Sequence, residues 1–172
     1  MTPRAPGRSF ISISVRVRAE AEQVWEALTD WESQSTWIAA TTVRTVGGDG
    51  RGAGARIEAF TGVGRLGFLD TMVVTEWLPP RRCAVRHTGA VVRGTGGFEL
   101  VPAADPADGT TLTWYEDLDI PGGRPAAHAF ALARPAVEYG VLRSLRRFAA
   151  LAERRAGPAV PDPAEHTPRS GP

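Results

Sequence analysis

The 172-residue sequence contains no lysine, no asparagine, one cysteine and only three histidines. Without lysine there is no Schiff-base amine and no phosphate-loop lysine, which excludes two large groups of enzyme mechanism. A single cysteine, Cys83, cannot form an internal disulfide and fits a reducing compartment. His87, His128 and His166 are far apart and never at ligand spacing, so no metal and no other cofactor is expected. The chain has no G-x-S-x-G elbow, and with it goes the usual nucleophilic triad. No apolar run approaches membrane-spanning length, and MTPRAPGRSF holds no apolar signal segment, so the expected location is cytoplasmic. All 20 basic residues are arginine and face 19 acidic ones. The resulting net charge of +1 argues against a dedicated nucleic-acid binder.

What is present is an ordinary apolar fraction of 42%, with five Trp and six Phe to build a core. From Phe10 to Val17, Ile11, Ile13, Val15 and Val17 alternate with polar residues, the pattern of a half-buried strand. EAEQVWEALTDW follows, where Val24, Trp25 and Leu28 form a helical stripe and Glu20 and Glu22 suit the helix N-terminus. Asp30 is placed to cap a second short helix carrying Trp31 and Trp37. Six further strands are predicted over 43–46, 55–61, 68–78, 83–88, 91–101 and 111–120, separated by Gly-rich or Pro-rich turns. Short connections without helices imply an antiparallel meander. A long helix is predicted from Pro125 to about Arg155, roughly 45 Å at 1.5 Å per residue, with Pro135 kinking or breaking it. Residues 1–8 read as a flexible leader and 156–172 as a disordered tail.

The order of elements, with VWEALTDWESQSTWI, VTEWLPPRR and GTTLTWYEDLDIP, resembles the START-like helix-grip (SRPBCC) superfamily. Within it the likeness is to the polyketide cyclase/dehydrase and lipid-transport family, and it covers about residues 9–155. The resemblance implies an α+β fold with two short helices after the first strand. A curved seven-stranded antiparallel sheet would wrap around the long C-terminal helix. It implies an apolar or amphipathic ligand of lipid, isoprenoid or polyketide type in an internal cavity, held by a carrier or binding module. An acid/base cyclase or dehydratase, and a protein-interaction module, are the alternatives. It supplies no fixed catalytic set for numbered positions here.

Candidate site residues therefore come from alternation. Leu112, Trp114, Glu116 and Leu118 share one face of the last strand; Cys83, Val85 and His87 share one of the fifth; Asp70, Met72, Val74 and Glu76 one of the fourth. Glu116 reads first as a charge paired by Arg134 or Arg93, and after that as a group orienting a ligand or, with His87, moving protons. Trp37, Phe60, Phe68, Met72, Phe98, Trp114, Phe130, Arg134 and Val137 are the expected cavity walls. Residues 62–67 match G-x-G-x-x-G, but strand formers follow where a nucleotide site needs a helix, so the segment reads as a hairpin turn. Arg143, Arg146, Arg147, Arg154 and Arg155 read first as a solvated face, and otherwise as a contact for an anionic membrane surface or acyl carrier. The expected state is a monomer or homodimer.

Overall fold

The structure is a computed structural model that describes residues 8–120 and 122–157. The expected tail from 158 onward and residues 1–7 of the leader lie outside that range. Seven strands form one antiparallel sheet: β1 (Arg8–Val17), β2 (Thr41–Thr45), β3 (Arg56–Val63), β4 (Leu66–Leu78), β5 (Arg82–Thr88), β6 (Arg93–Pro102) and β7 (Thr110–Asp119). Their order is β1-β7-β6-β5-β4-β3-β2, a meander whose first strand closes onto the last. Helix α1 (Ala21–Thr29) and a tight 3-10 segment (Trp31–Thr36) follow β1, and helix α2 (Gly123–Ala156) ends the fold. The architecture is the expected curved sheet with a long C-terminal helix. Among the described residues no helix is long and apolar enough to cross a membrane.

Local chemistry explains most of these elements. Val24, Trp25 and Leu28 bury one face of α1, and the Gln23 side chain accepts the Glu20 N–H at 3.2 Å. Asp30 does not cap the next segment through its side chain. The Asp30 backbone carbonyl takes the Ser33 N–H at 3.1 Å, and its carboxylate lies 3.7 Å from Arg155. Residues 62–67 form the β3–β4 hairpin, Val63 pairing with Leu66 across a two-residue turn in which Gly64 takes φ +60°. Arg8, the last residue of the expected leader, instead opens β1, where it pairs with Asp117 at 3.0 Å and Asp119 at 3.4 Å.

One strand face also differs from expectation. In β4 the register shifts between Val74 and Glu76, so Thr75 is an extra residue. This bulge turns Trp77 inward opposite Cys83 and sends Glu76 to pair with Arg82 at 2.9 Å, so Glu76 does not share the face of Asp70, Met72 and Val74. Of the kink or break expected at Pro135, helix α2 shows no break and runs on to Ala156. The neighbouring turns are exposed, so a carbonyl that loses its N–H partner there is left to water.

The two halves of α2 differ. Its buried residues are Ser144, Leu145, Phe148, Ala149 and Ala152, all in the C-terminal half, and they join Val24, Leu28, Trp37 and Leu112 in the core. Upstream of Ser144 the helix is exposed or half-buried, with Leu132 85% exposed. The helix thus closes one end of the sheet and leaves the other end open.

Candidate active site

Alternation on three strands brings three ionisable side chains to the same end of the sheet's inner face. Asp70 of β4, His87 of β5 and Glu116 of β7 have side chains 12%, 5% and 16% exposed. His87 Nδ1 lies 2.8 Å from Asp70 Oδ2, and its Nε2 lies 3.0 Å from Glu116 Oε2. Trp114 Nε1 donates to Glu116 Oε1 at 2.9 Å. Strand β6 runs between β5 and β7, so Glu116 must reach across it. Gly96 makes that reach feasible: it stands opposite both Val85 and Glu116, and a Cβ there would collide with Glu116 Oε2.

Geometry and local charge together favour a protonated histidine. A neutral imidazole has one N–H and would turn a lone pair toward the second carboxylate, whereas an imidazolium donates to both. Burial alone lowers the His87 pKa; the hydrogen bonds and charges of Asp70 and Glu116 outweigh it and push the group up to about 9. Both ring nitrogens thus lie at hydrogen-bond distance from an acidic side chain, which favours the imidazolium form of His87 at neutral pH. Cys83 is near the same cavity, but burial, with the charge of Glu76, pushes its thiol up to about 12, so no thiolate nucleophile is present. Among the described residues no group of side chains is arranged to hold a metal ion.

Beside the trio lies a mainly apolar pocket of about 190 Å3. Met72, Phe98, Trp114, His87 and Glu116 line it, as do Val43, Ile57 and Ala59 from β2 and β3. Its roof is the 31–38 segment, through Trp31, Gln34 and Ile38. No residue of α2 lines it.

The remaining expected wall residues stand elsewhere. Trp37 is 2% exposed and packs edge-on between Trp114 and Phe148, with ring centroids 6.2 and 5.1 Å away. Phe60 alternates out of the pocket-facing set Ile57, Ala59 and Thr61, and its ring lies by Gly67. Phe68 is 37% exposed at the hairpin end of β4. Phe130, Arg134 and Val137 sit on the open half of α2. Arg134 bonds Glu138 at 2.7 Å and the Phe10 carbonyl at 3.1 Å, and Arg93 is exposed, so neither arginine pairs with Glu116 as expected.

Two participants, Asp70 and Gly96, gain their place in the site only from the structure. Alternation puts Asp70 on the inner face, and only the strand register shows that it meets His87. Gly96 carried a usable signal: a glycine inside a strand marks a bulge or a close approach.

No curated protein matches the chain. Among solved structures, the Zhui aromatase/cyclase from Streptomyces sp. R1128 is 22% identical, with TM-score 0.67, covering 86% of this chain and 95% of that one. TTHA0849 from Thermus thermophilus is 13% identical, with TM-score 0.71, covering 86% and 99%. The di-domain ARO/CYC StfQ from the steffimycin biosynthetic pathway is 15% identical, with TM-score 0.69, covering 88% of this chain and 52% of that one. At these identities the likeness is one of fold. A family model described as polyketide cyclase/dehydrase and lipid transport matches residues 11–153, and the chain belongs to that family.

Proposed function

We propose that this chain is an acid/base catalyst of the cyclase or dehydratase type, acting on a compact polyketide-like molecule bound in the pocket beside Glu116. The observation that carries this reading is the buried Asp70–His87–Glu116 trio at the wall of an otherwise apolar recess. A carrier for an apolar molecule needs no such group, and a buried ion trio is rarely kept for stability, since apolar packing of similar volume does as well or better.

The roles follow from position. Glu116 faces the pocket and is the group that exchanges protons with the ligand. As a carboxylate it takes a proton from the acidic carbon between two carbonyls. The carbanion then closes a carbon–carbon bond onto a second carbonyl, and the alkoxide so formed takes the proton back from Glu116. His87 holds Glu116 by its Oε2 and offers a fixed positive charge behind it, while Asp70 orients His87 from the other side. A recess of about 190 Å3 is little larger than the roughly 150 Å3 apolar cavity that accepts benzene, so it encloses about one ring, and longer substrates extend through its mouth.

The test is turnover of a poly-β-ketone thioester followed by product chromatography, with ligand binding measured in parallel. Glu116→Gln should lower turnover at least about a hundredfold, the usual worth of general acid/base catalysis, and keep binding within a few-fold. Unchanged turnover in that variant removes Glu116 from the chemistry. A protein that only shuttles ligand between vesicles, equally well with and without the substitution, is a carrier.

A further inference from the structure

Among the described residues, the densest group of large exposed apolar side chains lies on the β3–β4 hairpin. Val63 is 79% and Leu66 84% exposed, and the exposed Phe68 and Leu69 follow on β4. Strand β4 pairs with β5 from Met72 onward, and Gly89 of the β5–β6 turn lies against Asp70. Leu66–Thr71 are thus paired with β3 alone, and the hairpin projects past that turn. Val63 and Leu66 stand opposite each other and share a face with Phe68, whereas Leu69 shares the other face with Phe60. Both faces of the ribbon are therefore apolar. Single apolar residues on a surface are normal, but a contiguous projecting set marks a contact surface.

The charges around the hairpin are of one sign. Residues 62–69 and the β5–β6 turn at 89–93 contain no acidic residue, and each carries an exposed arginine, Arg65 and Arg93. Residues 37–40, which lead into β2 beside Gly62, carry no charge at all. Arg86 and Arg93 line an open groove with Thr88 and Gly89 at this end of the sheet. Asp117 and Asp119, at the end of β7, are both taken by Arg8 at 3.0 and 3.4 Å. Acid returns in the turns at the opposite end, with Asp49, Asp105 and Asp108.

We propose that this end of the sheet docks on an anionic membrane surface, with the β3–β4 hairpin inserted and Arg65, Arg86 and Arg93 on the lipid phosphates. Apolar tips ringed by arginine fit the bilayer boundary, where the tips enter the acyl region and the guanidiniums stay among the headgroups. A protein pressed on one face of the ribbon would leave the other face in water, whereas lipid surrounds both. A second copy set about a two-fold axis would bring Arg65 and Arg93 toward like charges, with no acid on this surface to pair them. Thr61, opposite Phe68, lines the pocket, so the inserted face runs on into the pocket wall. The proposal does not rest on the chemistry of the trio.

The test is co-sedimentation of the purified full chain with vesicles of phosphatidylcholine alone and of equimolar phosphatidylcholine and phosphatidylglycerol. The anionic vesicles should bind about tenfold or more tighter, the effect expected of several arginines at the surface. Leu66→Asp should weaken that binding about tenfold or more by taking a leucine out of the acyl boundary, and Arg65→Glu about fivefold or more. Leu66 is exposed, so its variant should melt at the native midpoint; Val63→Asp repeats the test if Leu66→Asp does not fold. Arg146→Glu combined with Arg147→Glu, on the arginine face of α2, should leave binding unchanged. A fluorophore on Leu66→Cys, with Cys83 buried, should shift to the blue on anionic vesicles. Absence of binding to anionic vesicles overturns the proposal. So does binding that survives both hairpin variants, or that is lost in the α2 variant instead. Chains that ignore vesicles but pair with each other, or with an acidic carrier protein, through Leu66 assign the hairpin to a protein partner and overturn it as well.

Discussion

The inner face of the sheet has two ends that obey different rules, although the same strands build both. Strand β4 places Trp77 at one end and Asp70 at the other; β5 runs from Cys83 to His87, and β7 from Leu112 to Glu116. At the first end Trp25 stacks edge-on to Trp77 at 5.0 Å and to Phe98 at 5.5 Å, and Leu145 and Phe148 of α2 fill the remaining space. At the second, α2 contributes no buried side chain and three ionisable groups occupy the wall. Apolar contact suffices for the first end, as in any close-packed core. Nothing in the packing requires the second. Three separate strands each depart from an apolar pattern at the same level of the sheet, and this is what supports the proposed acid/base site.

The contrast can be broken from either side. The largest effect belongs to the packed end: Phe148→Ala should cost about 3–5 kcal/mol in chemical denaturation, as for other buried Phe→Ala changes. A loss under about 1 kcal/mol would show that α2 does not seal that end. Next is the pH response of the trio. The His87 pKa is raised in the folded state to about 9 from an ordinary value of 6.5. Its stabilising contribution is therefore complete below pH 6.5 and is lost as pH rises through about 9. The loss is on the order of 3 kcal/mol. Denaturation midpoints across pH 6 to 10 should fall for the native chain, and the fall should shrink in Asp70→Asn. A flat profile in the native chain contradicts a charged His87. Gly96→Ala comes third. Its methyl group overlaps the Glu116 carboxylate, so about 1–3 kcal/mol of stability and the His87–Glu116 contact should go together. Turnover in that variant near the native level would show that the contact is dispensable. Smallest is Leu132→Ser on the open half of α2, expected within about 0.5 kcal/mol of the native chain by thermal melting. A larger loss would mean that this half is covered.

Much of this division is visible in the amino-acid order. The strand alternations and the short turns between them predict the meander, because a period of two is a local property of each segment. The same rule puts Glu116 and His87 on inward faces. It fails at Glu76, where the Thr75 bulge reverses the alternation, and a bulge has no sequence mark as clear as a turn. It fails at Phe60 because bulk alone suggested a wall residue, while the neighbouring Ala59 and Thr61 are the ones that face the pocket. The Asp70–His87 contact depends on how β4 and β5 align, which is non-local. For α2, helical spacing shows that a stripe exists but not which turns of it meet the sheet. Phe130, Arg134 and Val137 therefore read like Leu145 and Phe148, though only the latter pair is buried.

The state of His87 is the point on which the rest depends, and a nitrogen-detected NMR titration of its ring measures it directly. The account predicts both ring nitrogens protonated at pH 7, with a midpoint near 9 that falls toward the ordinary value in Glu116→Gln and Asp70→Asn. A single neutral tautomer at pH 7, with a midpoint at or below 6.5, would contradict it.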